Sequence, residues 1–113
     1  MELASARCEA CNPDSPTVPV EDEPTLLAEI PDWKLVEVNG VKRLKRVIRV
    51  EGWRSAIDLT NRIADLADET DHHPAILTEW GKVTVQWWTH AINGLHRNDF
   101  VMAARVDSLF AES

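Results

Sequence analysis

No apolar run in this 113-residue chain reaches the roughly 20 residues that a bilayer-spanning helix needs, which excludes such a helix. Cations are scarce. Twelve Lys and Arg face 19 Asp and Glu, a net charge of -7, and this excludes the broad basic surface that direct nucleic-acid binding requires. Cysteine is limited to Cys8 and Cys11, a single Cys-x-x-Cys. One such pair is half of a tetrahedral zinc site, and no strand-then-helix pattern frames it as a redox motif. Two reduced thiols in a loose arm are expected. The N-terminus, Met1 to Arg7, lacks the apolar middle of a signal peptide, so a cytoplasmic location is expected. No serine sits on a strand-turn-helix elbow, and no repeat is visible beyond two hairpins.

What is present fits one globular domain with a modest core, since apolar residues make up 44% of the chain. Residues 1–20 carry Pro13, Pro16 and Pro19 without apolar periodicity and read as a flexible arm; residues 21–113 form the domain. Glu21-Asp22-Glu23 place negative charge at a helix start, Leu26, Leu27 and Ile30 form its apolar face, and Pro31 ends it. Trp33–Val38 and Val41–Val50 flank Asn39-Gly40, a strong hairpin signal. Within the second strand, Lys42-Arg43-Leu44-Lys45-Arg46 reads as the solvated face of a strand.

From Trp53 to Thr70 the period becomes helical, through Trp53, Ala56, Ile57, Thr60, Ile63, Ala64 and Ala67. A second hairpin follows, Ala75–Glu79 and Lys82–His90, turning at Trp80-Gly81. Alternation sends Trp87 and Trp88 to opposite faces, so one indole needs a cover, and a subunit interface is expected to supply it. A last helix begins at Arg97, with Phe100, Ala103, Ala104 and Phe110 available to the core. Helix, hairpin, helix, hairpin, helix implies an α+β two-layer sandwich: a four-stranded antiparallel sheet with three helices on one face.

Three of the four histidines gather where these elements meet. His72 and His73 precede Pro74 at a helix exit, and His90 closes the aromatic run Val83-Thr84-Val85-Gln86-Trp87-Trp88-Thr89-His90. Histidine is the side chain best suited to moving protons near neutral pH. Asp68, four residues before His72, is placed to orient it, and Asp99, in the first turn of the last helix, is placed to orient His90. A metal centre is the sharpest competing reading, since histidines and carboxylates are metal ligands. Adjacent histidines diverge, however, and no His-x-x-x-His pair is present.

The run Asp68-Glu69-Thr70-Asp71-His72-His73-Pro74, taken with His90 and Asp99, resembles the pterin-4a-carbinolamine dehydratase family over about Glu21 to Asp107. Its motif is an acidic residue, three spacers, His-His-Pro, a strand-end histidine and a following aspartate. Trp80-Gly81-Lys82-Val83 and Gly94-Leu95-His96-Arg97-Asn98-Asp99-Phe100 look like its bacterial branch. The resemblance implies dehydration of 4a-hydroxytetrahydropterin to quinonoid dihydropterin in tetrahydrobiopterin recycling. It implies no metal, no organic cofactor and no covalent intermediate. His72, His73 and His90 would be the catalytic trio, with Asp99 as the supporting acid and Asp68 at the motif's acidic position. Trp33 and Trp80 match aromatic positions, for pterin stacking or for packing. His96 replaces the Ser or Thr usual at that helix start, which predicts a weak cap. Members of the family form homodimers, and some dimers pair again. The alternative is a binding protein of the same fold, acting as dimerisation cofactor for a transcription factor or assembly factor for a carboxylase.

Overall fold

Asn39 and Gly40 both adopt positive φ, 53° and 80°, the conformation a two-residue turn needs to match strand twist. They join strand β1 (Lys34–Val38) to β2 (Val41–Arg49) in register, with Val38 opposite Val41 and Lys34 opposite Lys45. The computed structural model describes residues 17–111. Residues 1–16 of the expected arm, with Cys8 and Cys11, lie outside the described residues. Val18 is half-buried against the core, and its N–H donates to the Leu95 carbonyl at 2.8 Å. A 3-10 turn, Val20–Asp22, leads into helix α1 (Glu23–Ala28), which carries Pro24 in its first turn. The Glu23 carboxylate of α1 meets Lys42 of β2 at 2.9 Å.

Helix α2 (Gly52–Thr70) follows β2, and its buried residues Ala56, Leu59, Ile63 and Ala67 recur at helical spacing. Trp53, expected on that apolar face, is instead 49% exposed. It sits in the first turn, where the chain has only just left the end of β2. Strands β3 (Ala75–Glu79) and β4 (Lys82–Trp87) form the second hairpin, and Gly81 at φ 77° makes its turn. The four strands are antiparallel in the order β1-β2-β4-β3, so the two hairpins meet along β2 and β4, with Leu44 opposite Trp87. Helix α3 (Arg97–Ala111) packs with α2 against this sheet. Phe100 to Ala104 and Val106 are all buried, so α3 is a core helix rather than a surface one.

The core holds Leu44, Ile48, Val83, Val85 and Trp87 from one face of the sheet, and Ile30 and Trp33 from the first connection. Trp87 is fully buried, while Trp88 lies on the opposite face. The indole of Trp88 is half-buried. The Arg43 guanidinium lies 3.9 Å from its ring centroid. This cation–π contact covers one face of the indole.

β4 also ends earlier than the aromatic run implies. Beyond Trp87 the ladder gives way to an isolated bridge between Thr89 and Gly94, and His90 opens a 3-10 turn (His90–Ile92). The Thr89 N–H donates to the Gly94 carbonyl at 2.8 Å, which spends the donor that a longer strand would have used.

Candidate active site

The end of α2 sets the position of the first two histidines. Asp71 takes the left-handed conformation, φ 52° and ψ 37°, more often given to glycine. The N–H groups of Asp71 and His72 then cap the carbonyls of the last turn. This reversal turns His72 inward and leaves His73 beside the helix it has just left. His72 Nε2 lies 2.7 Å from Asp99 Oδ1, and His73 Nε2 lies 3.0 Å from Asp68 Oδ1. The expected pairing, Asp68 with His72 and Asp99 with His90, is therefore corrected. The left-handed turn breaks the i, i+4 relation on which the Asp68–His72 expectation rested.

Asp99 is the third residue of α3 and is wholly buried. Its Oδ2 accepts from the Thr89 hydroxyl at 2.8 Å and from the His96 backbone N–H at 2.9 Å. The second bond closes a capping box, in which a side chain in the first turn reaches back to the residue before the helix. The other half of the box is His96 itself, whose Nδ1 accepts the Asn98 N–H at 3.0 Å. His96 thus caps α3 with its ring, which corrects the expectation of a weak cap.

Every neighbour of the Asp99 carboxylate is a donor, so His72 must present Nε2–H to it. Nδ1 is then the nitrogen of His72 left to exchange a proton. The ring is further fixed by stacking on Trp87, at 5.5 Å between centroids and 6° between planes.

His90 is exposed and has no carboxylate partner among the described residues. Its ring lies against Trp88, at 4.6 Å and 52°. Trp87 and Trp88 point to opposite faces, so His72 and His90 flank the end of β4 from opposite sides. His73 joins them because Ala75, two residues on, pairs with Gln86 of β4. All three histidines, Asp68 and Asp99 thus collect at one end of the sheet.

Trp33 and Trp80 do not reach this cluster. Trp33 is 4% exposed and donates from Nε1 to Asp107 at 2.9 Å, and Asp107 also pairs with Arg46. Asp107 lies eight residues along α3 from Asp99, roughly 12 Å away. Trp80 is 76% exposed at the far end of β3, roughly 17 Å of strand from His73. Within one chain Trp33 is a packing residue and Trp80 a surface residue of the opposite end.

A cavity of about 470 Å³ lies between Thr17–Pro19, α1 and His96-Arg97, and none of the three catalytic candidates lines it. Among the described residues no three His, Cys, Asp or Glu side chains converge as a metal site would need. Sequence reasoning missed Thr89, Trp87 and the cap made by His96. The Arg97-Asn98-Asp99 spacing after His96 has the form of a capping box, and that signal could have placed Asp99 beside His96.

The α+β sandwich thus holds a histidine against a buried carboxylate at one end of its sheet. The sequence profile of the family described as pterin 4 alpha carbinolamine dehydratase matches residues 17–109, and this chain belongs to that family. A relative in Gloeobacter violaceus is 51% identical over 99% of this chain and 97% of its own. One in Marinobacter nauticus is 50% identical over 96% and 97%. Both carry pterin-4-alpha-carbinolamine dehydratase as a provisional name. The crystal structure of the transcriptional coactivator/pterin dehydratase from Brucella melitensis shares the fold, with a TM-score of 0.75 over 83% of this chain and 98% of that one, at 22% identity.

Proposed function

We propose that this protein dehydrates 4a-hydroxytetrahydropterin to quinonoid dihydropterin by histidine acid/base catalysis. In that reaction the bond from carbon 4a to the hydroxyl oxygen breaks, and the hydroxyl leaves as water with a proton from an imidazolium. The proton on ring nitrogen 5 passes to a neutral imidazole, and a double bond forms between carbon 4a and nitrogen 5. Protons balance without an external acid, oxidant or reductant. The observation that carries the reading is His72, held at Nε2 by buried Asp99 and thereby committed to exchange protons through Nδ1.

His90, on the other side of the strand end, is the complementary carrier. Whichever of the two faces the hydroxyl acts as acid, and exposed His73 binds the substrate or takes the nitrogen proton. The family relationship and the provisional names of the two relatives supply the substrate class. The reaction would return pterin to a reductase after an aromatic amino acid hydroxylase has used it. We place the protein in the cytoplasm; among the described residues no helix is long and apolar enough to cross a membrane.

A homodimer belongs to the same proposal. Val47 and Leu77 are 44% and 58% exposed on the open face of the sheet, apolar surface that a second copy would cover. A test of the enzymatic reading is to add the parent and a His72→Ala/His73→Ala/His90→Ala variant to freshly made carbinolamine, each after dialysis against a chelator. The parent is expected to accelerate dehydration beyond the spontaneous rate and the variant not to; equal acceleration by both would leave the binding-protein alternative.

A further inference from the structure

The two proton carriers meet at a residue that belongs to neither pair. Thr89 is 2% exposed and immediately precedes His90. Its hydroxyl donates to Asp99 Oδ2 at 2.8 Å, on the carboxylate whose other oxygen holds His72. Its backbone N–H donates to the Gly94 carbonyl at 2.8 Å, and the Gly94 N–H returns to the Thr89 carbonyl at 3.4 Å. That pair of bonds closes the loop containing His90, with Asn93 in the left-handed conformation at φ 47° to complete it.

From this geometry we infer that Thr89 is a positioning residue for both sides of the site: its side chain orients His72 through Asp99, and its main chain holds the turn that presents His90. The inference rests on the proton-transfer reading given above. Threonine suits the position physically. Thr89 has extended backbone angles, φ -102° and ψ 111°, and a β-branched side chain there has few rotamers, so the hydroxyl is aimed with little entropy loss. Valine would fill the same volume and offer no donor. Oδ2 would then keep only the His96 N–H, and the carboxylate could rotate about its own Cβ–Cγ bond. With one of its two Oδ2 anchors lost, the carboxylate would swing partly away from His72, and the Nε2–H tautomer would lose part of its advantage. A hydroxyl that merely satisfied itself in the core would have no such effect on the imidazole.

The experiment compares parent, Thr89→Val and Thr89→Ser by long-range nitrogen–proton NMR of the His72 ring and by steady-state dehydration kinetics. In the parent and in Thr89→Ser, neutral His72 is expected to carry its proton on Nε2 alone. In Thr89→Val both tautomers are expected, with kcat lower by roughly tenfold to a hundredfold, the usual scale for losing an outer partner of a reacting group, and KM within about twofold. Should Thr89→Val not fold, Thr89→Ala carries the same expectation, since it also removes the donor and adds no bulk. A hydroxyl-less variant that folds, keeps the Nε2–H tautomer and turns over like the parent overturns the inference. A parent that fails to accelerate dehydration, with the tautomer still shifted in Thr89→Val, overturns the reaction and leaves the positioning role standing.

Discussion

His72 and His73 are neighbours in the chain, and each meets an aspartate through Nε2, yet the two pairs live in different solvents. The His72 and Asp99 side chains are 12% and 0% exposed; those of His73 and Asp68 are 56% and 78% exposed. The first pair joins residues 27 apart and is braced by Thr89, His96 and Trp87. The second joins residues five apart and has water as its main alternative partner. An exposed pair of this kind contributes about 0–1 kcal/mol and is screened by salt. The buried pair cannot be exchanged for water at low cost, so it fixes one geometry. Identical chemistry on adjacent residues thus gives one pre-organised imidazole and one adaptable side chain, and the direction of a single turn at Asp71 separates them.

Removing the buried acceptor should have the largest effect. Asp99→Ala leaves the Thr89 hydroxyl and the His96 N–H buried without a partner, at about 1–3 kcal/mol each. It also undoes the capping box of α3. Urea unfolding is expected to show a loss of several kcal/mol together with loss of activity; a midpoint like the parent's would mean that the carboxylate is not the anchor described. His72→Ala and His90→Ala should come next, each slowing dehydration by roughly a hundredfold or more while the far-ultraviolet spectrum is retained. Near-parent rates in either variant would remove that residue from the trio. Asp68→Ala should have the smallest effect, with stability changed by less than about 1 kcal/mol and less still at high salt. A large, salt-independent loss there would erase the contrast between the two pairs.

Much of the fold was legible because its signals are local. Asn39-Gly40 sits at a turn whose positive φ values few other residues accept. The spacing of Ala56, Ile63 and Ala67 marks the buried face of α2 within a few turns of one another. The gathering of His72, His73, His90 and Asp99 at one sheet end was legible in outline from the elements that carry them.

Which carboxylate serves which histidine was not legible, for physical reasons. A left-handed cap is usually announced by glycine, and here Asp71 makes it without that signal. The reach of Asp99 to His72 depends on how α3 docks beneath β4, which no window of sequence contains. The end of β4 was hidden in the same way, because Thr89 is diverted by Gly94 and not by anything in its own strand. Whether Trp33 stacks or packs was not legible either, because an indole serves both uses equally well. Asp107, 74 residues away, decides for packing.

The most direct test of the central contrast is a matched pair of isosteric changes, Asp99→Asn and Asp68→Asn, assayed side by side for carbinolamine dehydration. Each keeps the shape of its side chain and replaces one acceptor oxygen by a donor. Asp99→Asn is expected to lower kcat by roughly tenfold to a hundredfold with its far-ultraviolet spectrum unchanged, and Asp68→Asn to remain within about twofold of the parent. Equal losses in the two variants, or a parent-like rate in Asp99→Asn, would contradict the claim that the buried pair carries the proton chemistry.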